Sequence, residues 1–590
     1  MCGIAGIYAP SSPESRVDRV EKMTRKLAPR GPDGAGVVNR NCVTLGHRRL
    51  KIIDLSDNAQ QPMTDPFLKL DIVFNGCIYN YKSLRRELEA NSYRFFSDSD
   101  TEVVLKAYHA WGTDCVKHFN GMFAFAVHEW QTGRLVLGRD RLGIKPLYVA
   151  ESNDQIAFAS TLPALLQSGV ADTGIDPIAL NYYMSFHAVV PAPFTILKGI
   201  RKLPPATVRV YEKDGSHRSE SYWQLEVGGA VEELGLDVVE WQERLLDALR
   251  LAVRRRMVAD VPVGVLLSGG LDSSLIVGLL AEQGQDRLNT FSIGFEDAGG
   301  EKGNEFMYSD IVANHFNTDH HQIRVPTETV LGTLPDTFQA MSEPMVSHDN
   351  IGFYLLSREV SRHLKVVQSG QGADEVFGGY HWYPPLLESN HAAEDYSRLF
   401  MDLDYADYTR AVTEDYAQSD LARSFVNQRF ETPSGTSPVD KALHLDTTVM
   451  LVDDPVKRVD NMTMAFGLEA RVPFLDHELV ELAGRIPAKL KFRGDGKWIL
   501  KEVARSVIPE EVIDRPKGYF PVPALKYLDG PYLAMVRDTL DGFRCVNRGI
   551  FRRGYISELL EQPSQHITPL GGSKLWQVAL LELWLEAQGL

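Results

Sequence analysis

A chain of 590 residues with a formal charge of −16 is too long for one ordinary core, and it offers no general surface for nucleic acid or an anionic membrane. Hydrophobic residues at 44% and charged residues at 24% fit a soluble globular protein of two or more domains. The five cysteines (Cys2, Cys42, Cys77, Cys115 and Cys545) are scattered and form no CxxC pair. They suggest neither a disulfide framework nor a zinc site, and a reducing cytoplasm fits best. No signal peptide or bilayer-length apolar run is visible, since the longest runs resemble Val263 to Leu267.

Up to about residue 210 the pattern is mainly strands. CVTLGHRRLKIIDL, LKLDIVFNGCIYN, MFAFAVHEW and GRLVLGRD are β-rich, with QTG as a hairpin turn between the last two. Helices are predicted over Arg16 to Ala28, with Val17, Val20, Met23 and Leu27 on one face, and over Thr101 to Trp111. Strand clusters with separate helices predict an α+β layered domain over residues 2–210. Residues 211–237, including YEKDGSHRSES and GGAVEELGLD, read as turns and a linker. A helix with Trp241, Leu245, Ala248 and Ala252 in register opens the second domain, 238–590. Apolar strands at Val263–Leu267, Thr290–Phe295, His321–Val325 and Lys365–Gln368 then alternate with helices, which predicts a parallel sheet covered by helices. Beyond about residue 385 the chain reads as mainly helical.

VGVLLSGGLDSS carries the strongest chemical signal. An apolar strand runs into Ser268-Gly269-Gly270, and a helix begins near Leu271. Glycines let backbone approach an anion, and a helix N-terminus presents free N–H groups. Ser273 and Ser274 add hydroxyls, and no GK[ST] follows, so this is not a Walker A loop. Asp272 beside an anion needs an intervening cation and reads as a Mg²⁺ ligand. Taken alone, the stretch fits a capped strand–turn–helix corner equally well. A second loop, KVVQSGQGADEVFGGY, repeats the arrangement with Ser369, Gly370 and Asp374. Two such loops at strand carboxyl ends suit one nucleotide crevice.

MCGIAG, RGPDG (30–34), GHRRL (46–50), NGCIYN (75–80) and SDTE (99–102) resemble a class II glutamine amidotransferase. SGGLDSS (268–274), SGQGADEVFGGY (369–380) and GLEARVPFLD (467–476) resemble the synthetase domain of glutamine-hydrolysing asparagine synthetases. The likeness spans nearly the whole chain in the family's order. It implies an N-terminal-nucleophile hydrolase fold (a four-layer αββα domain) and an α/β PP-loop ATP pyrophosphatase domain, of the adenine nucleotide alpha hydrolase-like type, with a helical C-terminal region. It also implies two linked reactions, glutamine hydrolysis to ammonia and adenylation of a carboxylate by ATP. Removal of Met1 would expose an α-amine titrating near ~7.7–8.0 beside a thiol near ~8.5, so the two exchange a proton cheaply. By the resemblance, Cys2 is the nucleophile and Asn75 with the Gly76 N–H is the oxyanion hole. Arg49 clamps the glutamine carboxylate and Asp100 its ammonium. Leu266, Ser268, Ile293 and Gly370 contact the nucleotide, and Asp272 and Asp374 hold Mg²⁺. Lys497, in GDGKWILKE, stabilises charge on the phosphoryl side. Met122 resembles a wall of an ammonia passage. The His320-His321 pair reads as surface or packing residues rather than metal ligands.

Three departures from asparagine synthetases bear on the acceptor. The glutamate of NGEIYN is Cys77 here, and the glutamate of SGEGSDE is Gln371. SEPMVSHDNIGFYLLSR lacks the family's threonine and arginine, with His348 near the arginine position and Met345 and Val346 close by. A less charged acceptor pocket is expected. FHAVVPAPFTILKGIRKLPPAT, SGQGADEVFGGYHWYPP, VKRVDNMTMAFGLEARVPFLDHELVELA and HITPLGGSKLWQVALLELW are more similar to the N-acetylglutaminylglutamine amidotransferase branch. That branch implies a carboxamide osmolyte as product, a partner ligase that makes the dipeptide, and a possible homodimer. The rival readings are asparagine synthetase itself, amidation of another peptide or envelope carboxylate, and a glutamine-sensing scaffold with a dead synthetase half.

Overall fold

The computed structural model describes residues 2–10, 16–152, 155–228, 235–285, 287–296, 303–432, 435, 437–494, 496–515 and 528–590. Its first sheet has the order β10 (Arg201–Lys202), β8 (Tyr148–Glu151), β9 (Ile156–Ala159), β1 (Gly3–Tyr8), β3 (Val43–Arg49), β2 (Gly34–Arg40). Its second has the order β12 (His217–Ser221), β11 (Thr207–Tyr211), β7 (Leu135–Arg139), β6 (Gly121–Glu129), β5 (Leu70–Ile78), β4 (Met63–Asp65). Alternate residues of the two sheets meet in one apolar layer, with Ile4, Tyr8 and Leu45 facing Val73, Ala124 and Leu137. The helix Val17–Lys26 covers the outer face of the first sheet through Val20 and Met23. The helices Tyr81–Ala90 and Asp100–Trp111 cover the second through Leu84, Leu88, Val103 and Val104. This is the expected four-layer αββα stack.

One expectation changes. Residues 217–221, read as linker, form the edge strand β12, paired from Thr207↔Ser221 to Tyr211↔His217. The run HRSES is exposed along its whole length, so it lacks the apolar alternation that marks a half-buried strand. Residues 229–234 of the expected linker lie outside the described residues.

The helix Val238–Arg255 opens the second unit with a capping box between Asp237 and Glu240, and it buries Trp241, Leu245, Leu249 and Ala252. A five-stranded sheet follows in the order β15 (Asp319–Val325), β14 (Asn289–Phe295), β13 (Val263–Leu266), β16 (Val366–Gln368), β17 (Glu469–Arg471). Every pairing in it is parallel. The chain leaves β13 towards β14 on one side and later returns as β16 on the other. A crevice therefore opens at the carboxyl ends of β13 and β16. The region beyond residue 385 is helical as expected except for β17, three residues too short to give a strand pattern in the sequence. Among the described residues no helix is long and apolar enough to cross a membrane.

Candidate active sites

The first site forms where β1 and β5 face each other. Cys2 is buried, and its backbone N–H donates to Asn75 Oδ1 at 2.9 Å. That bond fixes the amide orientation and turns Nδ2 the other way. Nδ2 is buried with no hydrogen-bond partner among the described residues. A buried donor without an acceptor is costly, and it fits a group that receives its acceptor from substrate. Gly76 follows because β6 crosses too closely for a side chain: a Cβ would sit 2.2 Å from the Met122 carbonyl oxygen. Burial pushes the Cys2 thiol up, opposed in part by the Leu50 backbone and Arg49.

Arg49 and Asp100 stand on the same pocket wall as Cys2 and Gly76. Arg49 donates from Nη1 to the Ser56 carbonyl at 2.7 Å and from Nη2 to the Asp54 carbonyl, which holds its guanidinium still. Asp100 starts the helix Asp100–Trp111, capped by Ser99, and accepts from the Ile78 N–H at 3.0 Å. Burial raises its carboxyl to about 6. Cys77 lies on this wall too, a thiol kept neutral by burial. Glu469 and Arg471 of β17 complete the wall, although they lie nearly 400 residues further along the chain.

The second site is a cavity of about 680 Å³ at the sheet's switch point. Leu266, Ser268, Gly270, Asp272, Ser273, Ile293, Ser369, Gly370, Gln371, Asp374 and Lys497 all line it. The helix Leu271–Glu282 begins at Gly270 with no side-chain cap, so its first N–H groups remain available for an anion. The loop is held from within. Ser273 Oγ accepts from the Ser268 N–H at 3.2 Å and lies 3.1 Å from Ser268 Oγ. Gly269, between Ser268 and Gly270, does not itself line the cavity. It takes φ +74°, and a Cβ there would lie 2.4 Å from the Ser309 nitrogen, so its role is close packing of the loop.

Lys497 Nζ lies 2.9 and 2.7 Å from the two oxygens of Asp272 and 2.9 Å from Asp374 Oδ1. Burial opposes its charge, but the two carboxylates outweigh it and push its pKa up. Two carboxylates that share one ammonium beside phosphate-type loops are hard oxygen donors. They fit Mg²⁺, which commonly binds through one or two carboxylates together with substrate phosphates. No cluster of three or more metal-ligating side chains occurs among the described residues.

His348 does not line the cavity. It precedes the helix Asp349–Val360, and its ring lies edge-on to Trp576 with centroids 6.4 Å apart, off the cavity wall. The next residue, Asp349, reaches the wall instead, paired with Arg458 at 3.2 Å. The cavity wall therefore carries more charge than the sequence suggested. Arg458, Asp349, Tyr380, Glu305 and Arg515 were all missed. Arg458 and Arg515 look like ordinary solvated charges on the sequence, and only their tertiary partners, Asp349 and Glu305, mark them out. Met122 is buried in an apolar cluster with Cys77, Tyr79, Leu142 and Ile144 that also holds Leu451 and Val456 of the second unit. The His320-His321 pair makes local contacts as expected, with His320 against Thr290 and Ser292 and His321 stacked on Phe291.

The family described as Asparagine synthase matches residues 244–586, and the Glutamine amidotransferase domain matches residues 1–223. The chain is 30% identical to asparagine synthetase [glutamine-hydrolyzing] 1 of Bacillus subtilis, across 99% of this chain and 96% of that protein. It is 29% identical to asparagine synthetase B of Escherichia coli, across 88% and 82%. It is 26% identical to the amidase chry2 of Gibberella zeae, across 90% of each.

Proposed function

The chain belongs to the asparagine synthase family and carries that family's glutamine amidotransferase domain, and from that premise we propose how its two sites divide one amide transfer. The protein is a glutamine-hydrolysing, ATP-dependent carbon–nitrogen ligase that converts ATP to AMP and diphosphate. Once Met1 is removed, the nitrogen now bonded to Asn75 Oδ1 becomes an α-amine. It takes the Cys2 thiol proton, and the thiolate attacks the glutamine side-chain amide carbon, Cδ. Asn75 Nδ2 and the Gly76 N–H stabilise the resulting oxyanion. The amine returns its proton to the departing ammonia, and water hydrolyses the thioester to glutamate. Arg49 holds the substrate carboxylate and Asp100 its ammonium, a bidentate fork and a buried anion respectively.

At the second site an acceptor carboxylate oxygen attacks the α-phosphorus of ATP and diphosphate leaves. Ammonia then adds to the acyl-adenylate carbonyl and AMP leaves. Asp272 and Asp374 would hold Mg²⁺, which screens the phosphate charge when bound. Lys497, already placed between those carboxylates, neutralises charge on the departing diphosphate. Ser268, Gly270, Ser273, Ser369 and Gly370 seat the phosphates, and Leu266 and Ile293 bound the base. Met122 and its apolar neighbours exclude water between the sites.

The acceptor we propose is the C-terminal carboxylate of N-acetylglutaminylglutamine, made by a partner dipeptide-forming ligase, with a carboxamide osmolyte as product. The observation that carries it is Gln371. It lines the cavity where asparagine synthetases have a glutamate, and a neutral amide there suits an acceptor with amides rather than an ammonium. Aspartate is the second reading, because Arg458 and Asp349 supply the opposite charges a free amino acid needs. Amide-¹⁵N glutamine with ATP and Mg²⁺, offered with either acceptor and read by mass spectrometry, separates the two. Label in the dipeptide carboxamide is expected, and label in asparagine alone overturns the dipeptide assignment.

A further inference from the structure

β17 belongs to the ATP-binding sheet, yet two of its three side chains bound the glutamine pocket. Arg471 is fully buried. Its Nε donates to Glu469 Oε1 at 2.6 Å, and its Nη1 donates to the carbonyls of Arg256 and Val258 at 2.8 and 2.7 Å. Its Nη2 is buried with no hydrogen-bond partner among the described residues. The Ser369 N–H, at the start of the second phosphate loop, donates to the Arg471 carbonyl at 2.8 Å. One residue thus carries the nucleotide loop on its backbone and the glutamine pocket on its side chain. Three strongly held groups fix that side chain, so its placement follows the synthetase sheet rather than β1 or β5.

Burial would neutralise Glu469, but the positive charge of the amino terminus first, then Arg471 and Lys145, hold its carboxyl down to about 2. It is therefore an anion on the same pocket wall as Cys2. Cys77, on the same wall, is a thiol. Glu469 is the carboxylate that pairs directly with the Arg471 guanidinium, at 2.6 Å.

We infer that Glu469 and Arg471 are positioning residues of the glutamine-hydrolysing site, contributed by the synthetase sheet. The pair fixes part of the pocket wall it shares with Cys2, against which the glutamine side chain is held for attack. The inference rests on the glutaminase reading above. It assigns a task to GLEARVPFLD, a motif that otherwise only marks resemblance.

The test uses the full-length enzyme with Glu469→Gln and, separately, Arg471→Lys. Glutamate release from glutamine reports the first site. Pyrophosphate release with ATP, acceptor and ammonium chloride in place of glutamine reports the second. The expected result is a fall in glutaminase kcat of at least ~10-fold, with KM for glutamine moving by less than about 3-fold, because misplacing a reacting group costs rate more than binding. Ammonia-dependent pyrophosphate release stays within about 2-fold of wild type in Glu469→Gln. If both activities fall together, the pair is merely structural and the inference fails. It fails equally if Glu469→Gln leaves glutaminase kcat unchanged. A wild-type enzyme without glutaminase activity would instead overturn the parent reading.

Discussion

Arg30 Nη1 donates to Asp460 Oδ2 at 2.8 Å, joining two buried side chains 430 positions apart in sequence. Arg30 Nε also donates to the Cys2 carbonyl at 3.2 Å, and Lys145 Nζ lies 3.5 Å from the other Asp460 oxygen. The chain at Cys2, just before β1, is thus tied through a guanidinium to the helix Lys457–Met464 of the synthetase unit. Burial penalises the Asp460 charge, but Arg30 and Lys145 more than offset it and hold its carboxyl below the usual range.

Asp460→Asn leaves two buried cations facing a neutral amide. Breaking a buried pair from one side costs about 3–5 kcal/mol. The variant should melt at a clearly lower temperature by scanning calorimetry. Arg30→Met with Asp460→Leu should recover part of the loss. Equal stability of Asp460→Asn and wild type would show that the pair is not a junction of the two units.

Cys2→Ala should abolish glutamate release while ammonia-dependent synthesis persists, since among the described residues the ATP cavity shares none with the Cys2 pocket. Asn75→Ala should lower glutaminase kcat by about 10²–10³-fold, the usual cost of one oxyanion donor. Single-turnover thioester formation separates this from a loss of glutamine binding.

Lys497→Met removes the cation between Asp272 and Asp374. The two carboxylates then repel each other and phosphate charge goes unneutralised. Pyrophosphate release should fall by about 10²–10³-fold with either nitrogen source. Glutaminase activity should be unchanged. Raising Mg²⁺ should restore part of the rate, because the ion can take over some of the lost positive charge.

Asp100 supplies a pH test. Burial raises its carboxyl to about 6, so it is ionised above that pH and neutral below it. A substrate ammonium needs the ionised form. KM for glutamine should therefore be flat above pH 6 and rise as pH falls through 6, approaching about tenfold per unit. Asp100→Asn should show a high KM that no longer changes across that window. Ammonia-dependent synthesis at the same pH values controls for the second site.

The division between sequence and structure follows from how far each signal reaches along the chain. Cys2, Asn75 and the two glycine loops sit in motifs of a dozen residues or fewer, where strand, turn and helix start are set by neighbouring side chains. The sequence by itself therefore singled out Cys2 and the two glycine loops, and it determined the alternation that builds the parallel sheet. It misread HRSES because an exposed edge strand buries nothing and so leaves no periodicity. It gave no sign of Asp349, because local geometry at the helix start, not chain position, decides which of two neighbours faces a cavity: Asp349 lines it and His348 packs on Trp576. Only the tertiary structure brought Glu469 and Arg471 to Cys2, and Lys497 between Asp272 and Asp374. Those neighbours are more than a hundred residues apart, and their charges become visible as a site only when burial removes the water that would otherwise screen them.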